Sequence, residues 1–202
     1  MNKKIFDDVA VEIEQFGRSF SPKFSFPDCI EAIDEMGPAA RKAFYRGLRY
    51  LPSLVRLASS EELTMFSKNL GLDQPAIMTF YNIRMDLPSQ NEFLFHWHQD
   101  TTYLLGSSNA VTYWLPMTAV DAERGSVDLI PGSHRAGIVP YQLSIDRNDI
   151  GHRPLSPTDV YLVDEPRQTP TTVVAQPGDL IVFRQLLLHS SRAGWAPRWT
   201  IQ

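Results

Sequence analysis

The sequence has almost no cysteine, no long apolar run and no large excess of charge of either sign. Cys29 is the only cysteine, which excludes an internal disulfide and a cysteine-rich zinc site and favours a reducing cytoplasm. No apolar run approaches the roughly 20 residues that span a bilayer. The N-terminus turns acidic at Asp7 and Asp8, where a signal peptide would turn apolar. We therefore expect a cytoplasmic protein that does not cross a membrane.

Length and charge narrow the class of protein further. With 202 residues the chain is about one domain long, and its 43% hydrophobic and 21% charged residues are ordinary for a globular protein. The formal net charge of −4 gives no reason to expect nucleic acid or an anionic membrane as a partner. These numbers leave an ordinary globular domain as the simplest expectation.

The N-terminal third is predicted to be helical. Phe6, Val9 and Ile13 recur at helical spacing, so that one face of the first segment is apolar. Ser59 with Glu62 resembles a capping box at the start of a later helix, and the glycine at position 71 is placed to end it. We expect residues 1–74 to form a helical layer.

After residue 75 the pattern changes to short runs of β-branched and aromatic residues separated by turns. Many short strands after a helical layer predict a barrel or double-sheet jelly roll flanked by helices, with residues 1–202 forming a single domain. A long proline-rich and polar stretch, residues 140–170, interrupts the strands and is predicted to be either a lid over a site or a disordered segment. The predicted strands are 76–85, 92–99, 110–117, 126–130, 171–175, 180–183 and 199–202.

The segment Phe95-His96-Trp97-His98-Gln99-Asp100 carries the chemistry. In a strand, residues two apart face the same way, so His96, His98 and Asp100 would share one face. An imidazole and a carboxylate side by side, joined by a distant histidine, give a facial triad that leaves open positions on iron(II). The absence of thiolate suits a redox-active iron better than a structural zinc ion.

Only five histidines can supply the distal ligand. His134 lies in a Pro-Gly-Ser-His turn and His152 in the long polar stretch, whereas His189 ends the apolar run Leu186-Leu187-Leu188. A histidine that ends a buried strand is well placed to point into the mouth of a barrel. We choose His189, and we leave open that His96 replaces His98 in a cupin-like His-x-His arrangement.

Three stretches of the chain resemble the phytanoyl-CoA dioxygenase family. They are Trp97-His98-Gln99-Asp100, the segment 125–135 with its Pro131-Gly132-Ser133-His134 turn, and Pro177-Gly178-Asp179 leading to His189-Ser190-Ser191. They occur in the family's order. The resemblance implies a double-stranded β-helix that holds iron(II) and 2-oxoglutarate, with His98, Asp100 and His189 as metal ligands.

The resemblance also implies a binding site for the far carboxylate of 2-oxoglutarate. Arg198 is the best match to the family's arginine, with Ser191 as a hydroxyl partner, because a guanidinium binds a carboxylate through two parallel hydrogen bonds. Arg192 is the rival, since the spacing from His189 to Arg198 is short for the family. Trp114 resembles an aromatic residue near the co-substrate, and plain core packing would explain it equally well.

The implied reaction is hydroxylation of a small-molecule substrate by O2, with release of succinate and CO2. Related halogenases bind halide in place of the carboxylate, so that Asp100 favours hydroxylation. Two alternatives remain: a cupin-type metalloenzyme that uses no keto acid, and a non-catalytic protein of the same fold. Family members usually continue beyond the position of Gln202, so we also expect the chain to be short at its C-terminus.

Overall fold

The computed structural model describes residues 3–78, 81–88, 90–103, 107, 109–145 and 159–202. Helices occupy the N-terminal third and antiparallel strands follow, as the sequence predicts. The helices are α1 Lys3–Arg18, α2 Ile30–Glu35, α3 Pro38–Gly47, α4 Pro52–Ala58 and α5 Glu61–Asn69. The strands are β1 Ile83–Asp86, β2 Val111–Pro116, β3 Ser126–Leu129, β4 Tyr141–Leu143, β5 Val160–Leu162, β6 Thr171–Thr172, β7 Ile181–Arg184, β8 His189–Arg192 and β9 Arg198–Ile201.

Local sequence explains where the helices begin and end. Phe6, Val9 and Ile13 of α1 are buried, which confirms the apolar stripe. Helix α5 begins at Ser60, whose hydroxyl accepts a hydrogen bond from Leu63 N, one residue later than the predicted capping serine. It ends before Gly71, whose φ of 86° is the left-handed conformation that glycine adopts most easily.

The strands form two larger sheets and one separate pair. The four-stranded sheet has the order β1-β9-β2-β7, the three-stranded sheet has the order β6-β3-β8, and β4 pairs with β5. All these pairings are antiparallel. The pair β4–β5 lies within the stretch 140–170, of which residues 146–158 fall outside the described part of the chain.

Two hydrophobic cores flank the four-stranded sheet. The larger core joins the helices to the outer face of this sheet, where Ile83, Met85 and Trp199 are buried against it. The smaller core lies between the two sheets and contains Trp114 from β2 and Val127 from β3. Because side chains alternate along a strand, the inner face of β1 and β9 carries the remaining residues of these strands, which are polar.

The prediction of a strand over residues 92–99 is wrong. Residues Asn91–Phe93 form one turn of 3-10 helix, and of the following segment only His98 pairs, in a single bridge with His189. The segment is held by isolated backbone hydrogen bonds to β8, such as that from Ser191 N to Phe95 O at 2.9 Å, and by side chains: the ring of Phe95 packs on Tyr103 at 5.1 Å. The alternation of aromatic and polar residues in this segment therefore does not mark a regularly paired strand.

Candidate metal centre

Backbone pairing brings His98 and His189 side by side. His98 N donates to His189 O at 2.9 Å, and His189 N donates to His98 O at 3.1 Å. Asp100 follows at the start of a 3-10 turn, Asp100–Thr102. The carboxylate oxygen Oδ1 of Asp100 lies 3.7 Å from Nε2 of His98 and 3.4 Å from Nε2 of His189. One ligand atom from each residue lies within 4.8 Å of the others.

These separations fit a single metal ion. Neighbouring ligand atoms about 2.1 Å from one ion are roughly 3 Å apart when they are at right angles, which is slightly less than the distances between Asp100 and the two imidazoles. Two histidines and one carboxylate on one side of an ion form the facial triad that non-haem iron(II) oxygenases use. The donor set therefore suits iron(II).

The two imidazoles are oriented for metal binding by the backbone. His98 Nδ1 lies 2.6 Å from the carbonyl oxygen of His96, and His189 Nδ1 lies 2.9 Å from that of Leu187. A proton on Nδ1 satisfies each contact, which leaves the lone pair of Nε2 directed at the centre of the cluster. Each ring is thus fixed by a residue two positions earlier in its own segment.

The charges of the three side chains depend on one another. Burial lowers the pKa of His98, and the neighbouring His189 lowers it further. Burial alone would lower the pKa of His189, but the charge of Asp100 outweighs it and raises this pKa. Burial would raise the pKa of Asp100, but His189 and His98 outweigh it and lower this pKa. Asp100 is therefore ionised, as a metal ligand must be.

A threonine that the sequence did not single out fixes the carboxylate. Thr112 on β2 donates its hydroxyl hydrogen to Asp100 Oδ2 at 2.5 Å. Because the other oxygen, Oδ1, is the one near both imidazoles, this hydrogen bond leaves Asp100 with a single oxygen for the metal. No sequence pattern reveals the contact, since Thr112 looks like any β-branched strand residue.

Gln99 ties the ligand-bearing segment to its surroundings. Its side-chain amide donates to the carbonyl oxygens of Gly137 and Leu186 at 2.8 and 2.7 Å, and its Oε1 accepts from Val139 N at 3.0 Å. Gln99 is 1% exposed, so these three hydrogen bonds satisfy a buried amide. These hydrogen bonds fix Gln99 between the two ligands His98 and Asp100, although this segment is not part of a regular strand.

A cavity of about 430 Å³ opens beside the triad. Arg198, Ser191 and Trp114, the residues predicted to bind the co-substrate, all line it. The rival, Arg192, does not line this cavity and instead holds Asp128, with its Nε 2.9 Å from Oδ1 and its Nη2 2.8 Å from Oδ2.

Those remaining candidates that fall within the described residues lie apart from the cluster. The ring of His96 stacks on Tyr161, with 5.0 Å between ring centroids, and His96 is not part of the ligand cluster. His134 lies in a 3-10 turn, Ser133–Ala136. His152 falls outside the described residues.

Two charged residues of β1 were not predicted from the sequence: an arginine that lines the cavity and an aspartate that holds it in place. Arg84 lines it, and Asp86 forms ion pairs with both Arg84 and Arg198. The sequence does carry a signal for this pair. In Ile83-Arg84-Met85-Asp86 the two charges alternate with two apolar residues, and in a strand that places both charges on one face, opposite the hydrophobic core.

Helices followed by antiparallel sheets, with two histidines and one carboxylate converging beside a cavity, are the arrangement of the non-haem iron(II) oxygenases. The family model of phytanoyl-CoA dioxygenase (PhyH) matches residues 68–197. The chain belongs to this family, whose members use Fe(II) and 2-oxoglutarate. The family predicted from the three sequence stretches is thereby confirmed.

Solved structures share the fold. EvdO2 from Micromonospora carbonacea var. aurantiaca is 17% identical, with a TM-score of 0.58 over 97% of this chain and 80% of its own. Its complex with 2-oxoglutarate gives a TM-score of 0.50 at 17% identity, over 73% of this chain and 60% of that one. SnoN, a non-heme alpha-ketoglutarate-dependent epimerase from nogalamycin biosynthesis, is 19% identical with a TM-score of 0.51, over 74% of this chain and 54% of its own.

These likenesses confirm the predicted fold class, a double-stranded β-helix with an N-terminal helical layer. The chain spans about half to four fifths of the length of the chains in these three structures. Among the described residues, no helix is long and apolar enough to cross a bilayer.

Proposed function

We propose that the chain is a 2-oxoglutarate-dependent dioxygenase that hydroxylates a small molecule, with Fe(II) held by His98, Asp100 and His189. The observation that carries the proposal is the convergence of Nε2, Oδ1 and Nε2 of these residues beside a cavity. When bound, iron and 2-oxoglutarate supply the oxidation: O2 gives one oxygen atom to succinate and one to the substrate, and CO2 leaves.

The chain's own side chains bind and orient the reactants. We assign the far carboxylate of 2-oxoglutarate to Arg198, which is 5% exposed, with the hydroxyl of Ser191, which lines the same cavity, as a second donor. Charge-assisted hydrogen bonds of a buried guanidinium are strong because little water competes. Trp114, 4% exposed between the sheets, provides a rigid apolar wall and helps to exclude water.

The helical layer contributes to the same cavity. Leu54 and Leu57 of α4 and Leu63 of α5 line it together with the triad. This shared wall supports the proposal that residues 1–202 work as a single oxygenase domain, with residues 1–74 as the helical layer and 75–202 as the β core. Its apolar character suits a substrate whose bound part is uncharged.

The competing cupin-like reading finds less support. It requires the imidazole of His96 as a ligand, whereas this ring stacks on Tyr161. The non-catalytic alternative finds no support, because the three ligand atoms of the triad all converge. We also propose a reducing compartment such as the cytoplasm, because Cys29 is a buried free thiol.

The test is anaerobic addition of Fe(II) and 2-oxoglutarate to the purified protein. In halide-free buffer we expect a visible metal-to-ligand charge-transfer band in the wild type and none in Asp100→Ala, because the variant loses the carboxylate that completes the triad and no halide can take its place. Asp164→Ala, which removes an exposed carboxylate, is the control and should keep the band. A wild type without the band, or Asp100→Ala with a full one, would refute the assignment.

A further inference from the structure

Two arginines share one carboxylate on the wall of the cavity. Asp86 accepts from Arg84 through Oδ1, with Nε and Nη2 each at 2.6 Å. It accepts from Arg198 through Oδ2, with Nε at 3.0 Å and Nη2 at 2.5 Å. The side chains of Arg84, Asp86 and Arg198 are only 13%, 8% and 6% exposed. Each oxygen of the Asp86 carboxylate thus accepts hydrogen bonds from one of the two guanidinium groups.

This cluster carries one net positive charge. Arginine is always protonated in proteins. Burial would raise the pKa of Asp86, but the charges of Arg84 and Arg198 outweigh burial and lower it, so the carboxylate is ionised. Two cations and one anion leave a single unbalanced charge in a poorly hydrated place, which is costly unless an anion joins them. The cluster is therefore matched to one further carboxylate.

The free hydrogen-bond donors of the cluster belong mainly to Arg84. Arg198 spends Nε and one N–H of Nη2 on Asp86, and its Nη1 donates to the carbonyl oxygens of Ser126 and Arg192. Only one of its five N–H groups then remains. Nη2 of Arg84 also donates to Phe93 O at 2.6 Å. Within the described part of the chain, no acceptor contacts Nη1 of Arg84.

Arg84 is also held close to the metal ligands. Its guanidinium carbon lies 4.6 Å from the centre of the Phe95 ring, which lies 5.0 Å from the ring of His98. Stacking on an aromatic face fixes a guanidinium without using its N–H groups. Arg84 thus sits on the cavity wall with unused donors and a fixed orientation.

We propose that Arg84 and Arg198 together bind the far carboxylate of 2-oxoglutarate, and that Asp86 holds the two guanidinium groups side by side for it. The inference rests on the proposed function and extends it, because two arginines then bind the co-substrate rather than Arg198 alone. Arg84 is a binding residue and Asp86 a positioning residue.

The test compares two keto acids on protein loaded with Mn(II), which suits the same ligands. 2-Oxopentanoate has the chelating end of 2-oxoglutarate and the same chain length but no far carboxylate. Isothermal titration should show that Arg84→Met binds 2-oxoglutarate about 10- to 100-fold more weakly than the wild type does. Its affinity for 2-oxopentanoate should not change, since the metal end of the site is intact.

Two further variants sharpen the comparison. Arg84→Lys keeps the charge but cannot bridge two carboxylates, so its preference for 2-oxoglutarate should fall between those of the wild type and Arg84→Met. Arg184→Met is the matched control. Arg184 is also a partly buried strand arginine, but it donates to Asn109 and Leu70 and does not line the cavity, so the preference should equal that of the wild type.

The outcomes separate this inference from the proposed function. A wild type that does not bind 2-oxoglutarate would overturn the proposed function. The role of Arg84 would be overturned, and the proposed function would stand, if the wild type bound 2-oxoglutarate but the ratio of the two affinities were unchanged in Arg84→Met and Arg84→Lys. If Arg84→Met does not fold, the ratio measured in Arg84→Lys decides.

Discussion

At the scale of single residues, each metal-binding group is aimed by one hydrogen bond from the protein. The carbonyl oxygens of His96 and Leu187 orient the two imidazoles, and the hydroxyl of Thr112 orients Asp100. A ligand that is fixed before the metal arrives loses little conformational freedom on binding, which raises affinity. The three contacts differ in one respect: only that of Thr112 comes from a side chain and can be removed by substitution.

Thr112→Val should weaken metal binding while leaving the fold intact. Valine has nearly the shape of threonine but cannot donate to Asp100 Oδ2, so the carboxylate becomes free to rotate. We expect the affinity for Co(II) to fall about 10-fold, within the range known for contacts behind metal ligands. Titration followed by the visible bands of bound Co(II) measures both the affinity and the coordination.

Two further substitutions serve as controls for Thr112→Val. Thr112→Ser keeps the hydroxyl and should restore most of the affinity. Thr172→Val removes a similar hydrogen bond, from Thr172 Oγ1 to Asp128 Oδ1 at 2.6 Å, but Asp128 is not part of the ligand cluster. If Thr112→Val bound Co(II) as the wild type does, Thr112 would have no positioning role.

At the scale of elements, the sequence predicts those strands whose side chains alternate clearly. Strands β2, β3 and β7 lie within one or two residues of the predicted ranges. The prediction that His189 ends a buried strand is wrong, because His189 begins β8, His189–Arg192, and the apolar run 186–188 lies outside any strand. Strand β8 itself was not predicted, because all four of its residues are polar and no hydrophobic alternation marks it. Its inward residues His189 and Ser191 face a site instead of a core. A strand that builds a site therefore lacks the pattern by which strands are recognised.

Strands β1 and β9 are joined by more than their backbone pairing. Asp86 pairs with Arg198 directly across the ladder, and its carboxylate is buried with two arginines. Asp86→Asn leaves two buried cations without a counter-charge, so we expect the free energy of unfolding at pH 7 to fall by about 3 kcal/mol. Urea denaturation followed by circular dichroism measures it.

The loss of stability in Asp86→Asn should depend on pH in a definite direction. The pKa of Asp86 is lower in the folded protein than its ordinary value of 3.8, so its ion pairs stabilise the fold above about pH 4 and lose this effect as pH falls through the lowered pKa. The difference between wild type and Asp86→Asn should therefore shrink at pH 3. Glu35→Gln, which breaks an exposed pair with Lys23, should change little at either pH. An equally stable Asp86→Asn would contradict the account.

At the scale of the whole molecule, the site joins parts of the chain that no local pattern connects. Asp86 meets Arg198 across 112 residues, and Gln99 meets Leu186 across 87. The His-x-Asp motif and the distal His189 could be predicted from sequence because their chemistry restricts the residue types. The partner Thr112 could not, because a common β-branched residue acquires this role only when the sheets pack. For Arg84 and Asp86 the alternation along β1 indicates a shared face, but it does not reveal that they meet Arg198.

Metal binding should consequently stabilise the entire fold. The ligands lie on the segment around residue 98 and on β8, and a metal ion binds them together only in the folded state. At a metal concentration 100 times its dissociation constant, the gain is about 2.7 kcal/mol, which raises the melting temperature of a chain of this length by roughly 5–10 °C. Calorimetry with Mn(II), and again after chelation by EDTA, measures the shift.

The stabilisation by metal should disappear in acid. Metal ligands must be deprotonated, and the pKa of His189 is raised above the ordinary value of 6.5 by Asp100. The proton therefore competes with the metal at a higher pH than it would at a free histidine, and the shift should be full in mildly alkaline solution and decline as pH falls through the raised pKa. Asp100→Ala should show no shift at any pH, whereas Asp164→Ala should behave as the wild type. A shift of the same size in Asp100→Ala would mean that Mn(II) stabilises the protein at another site.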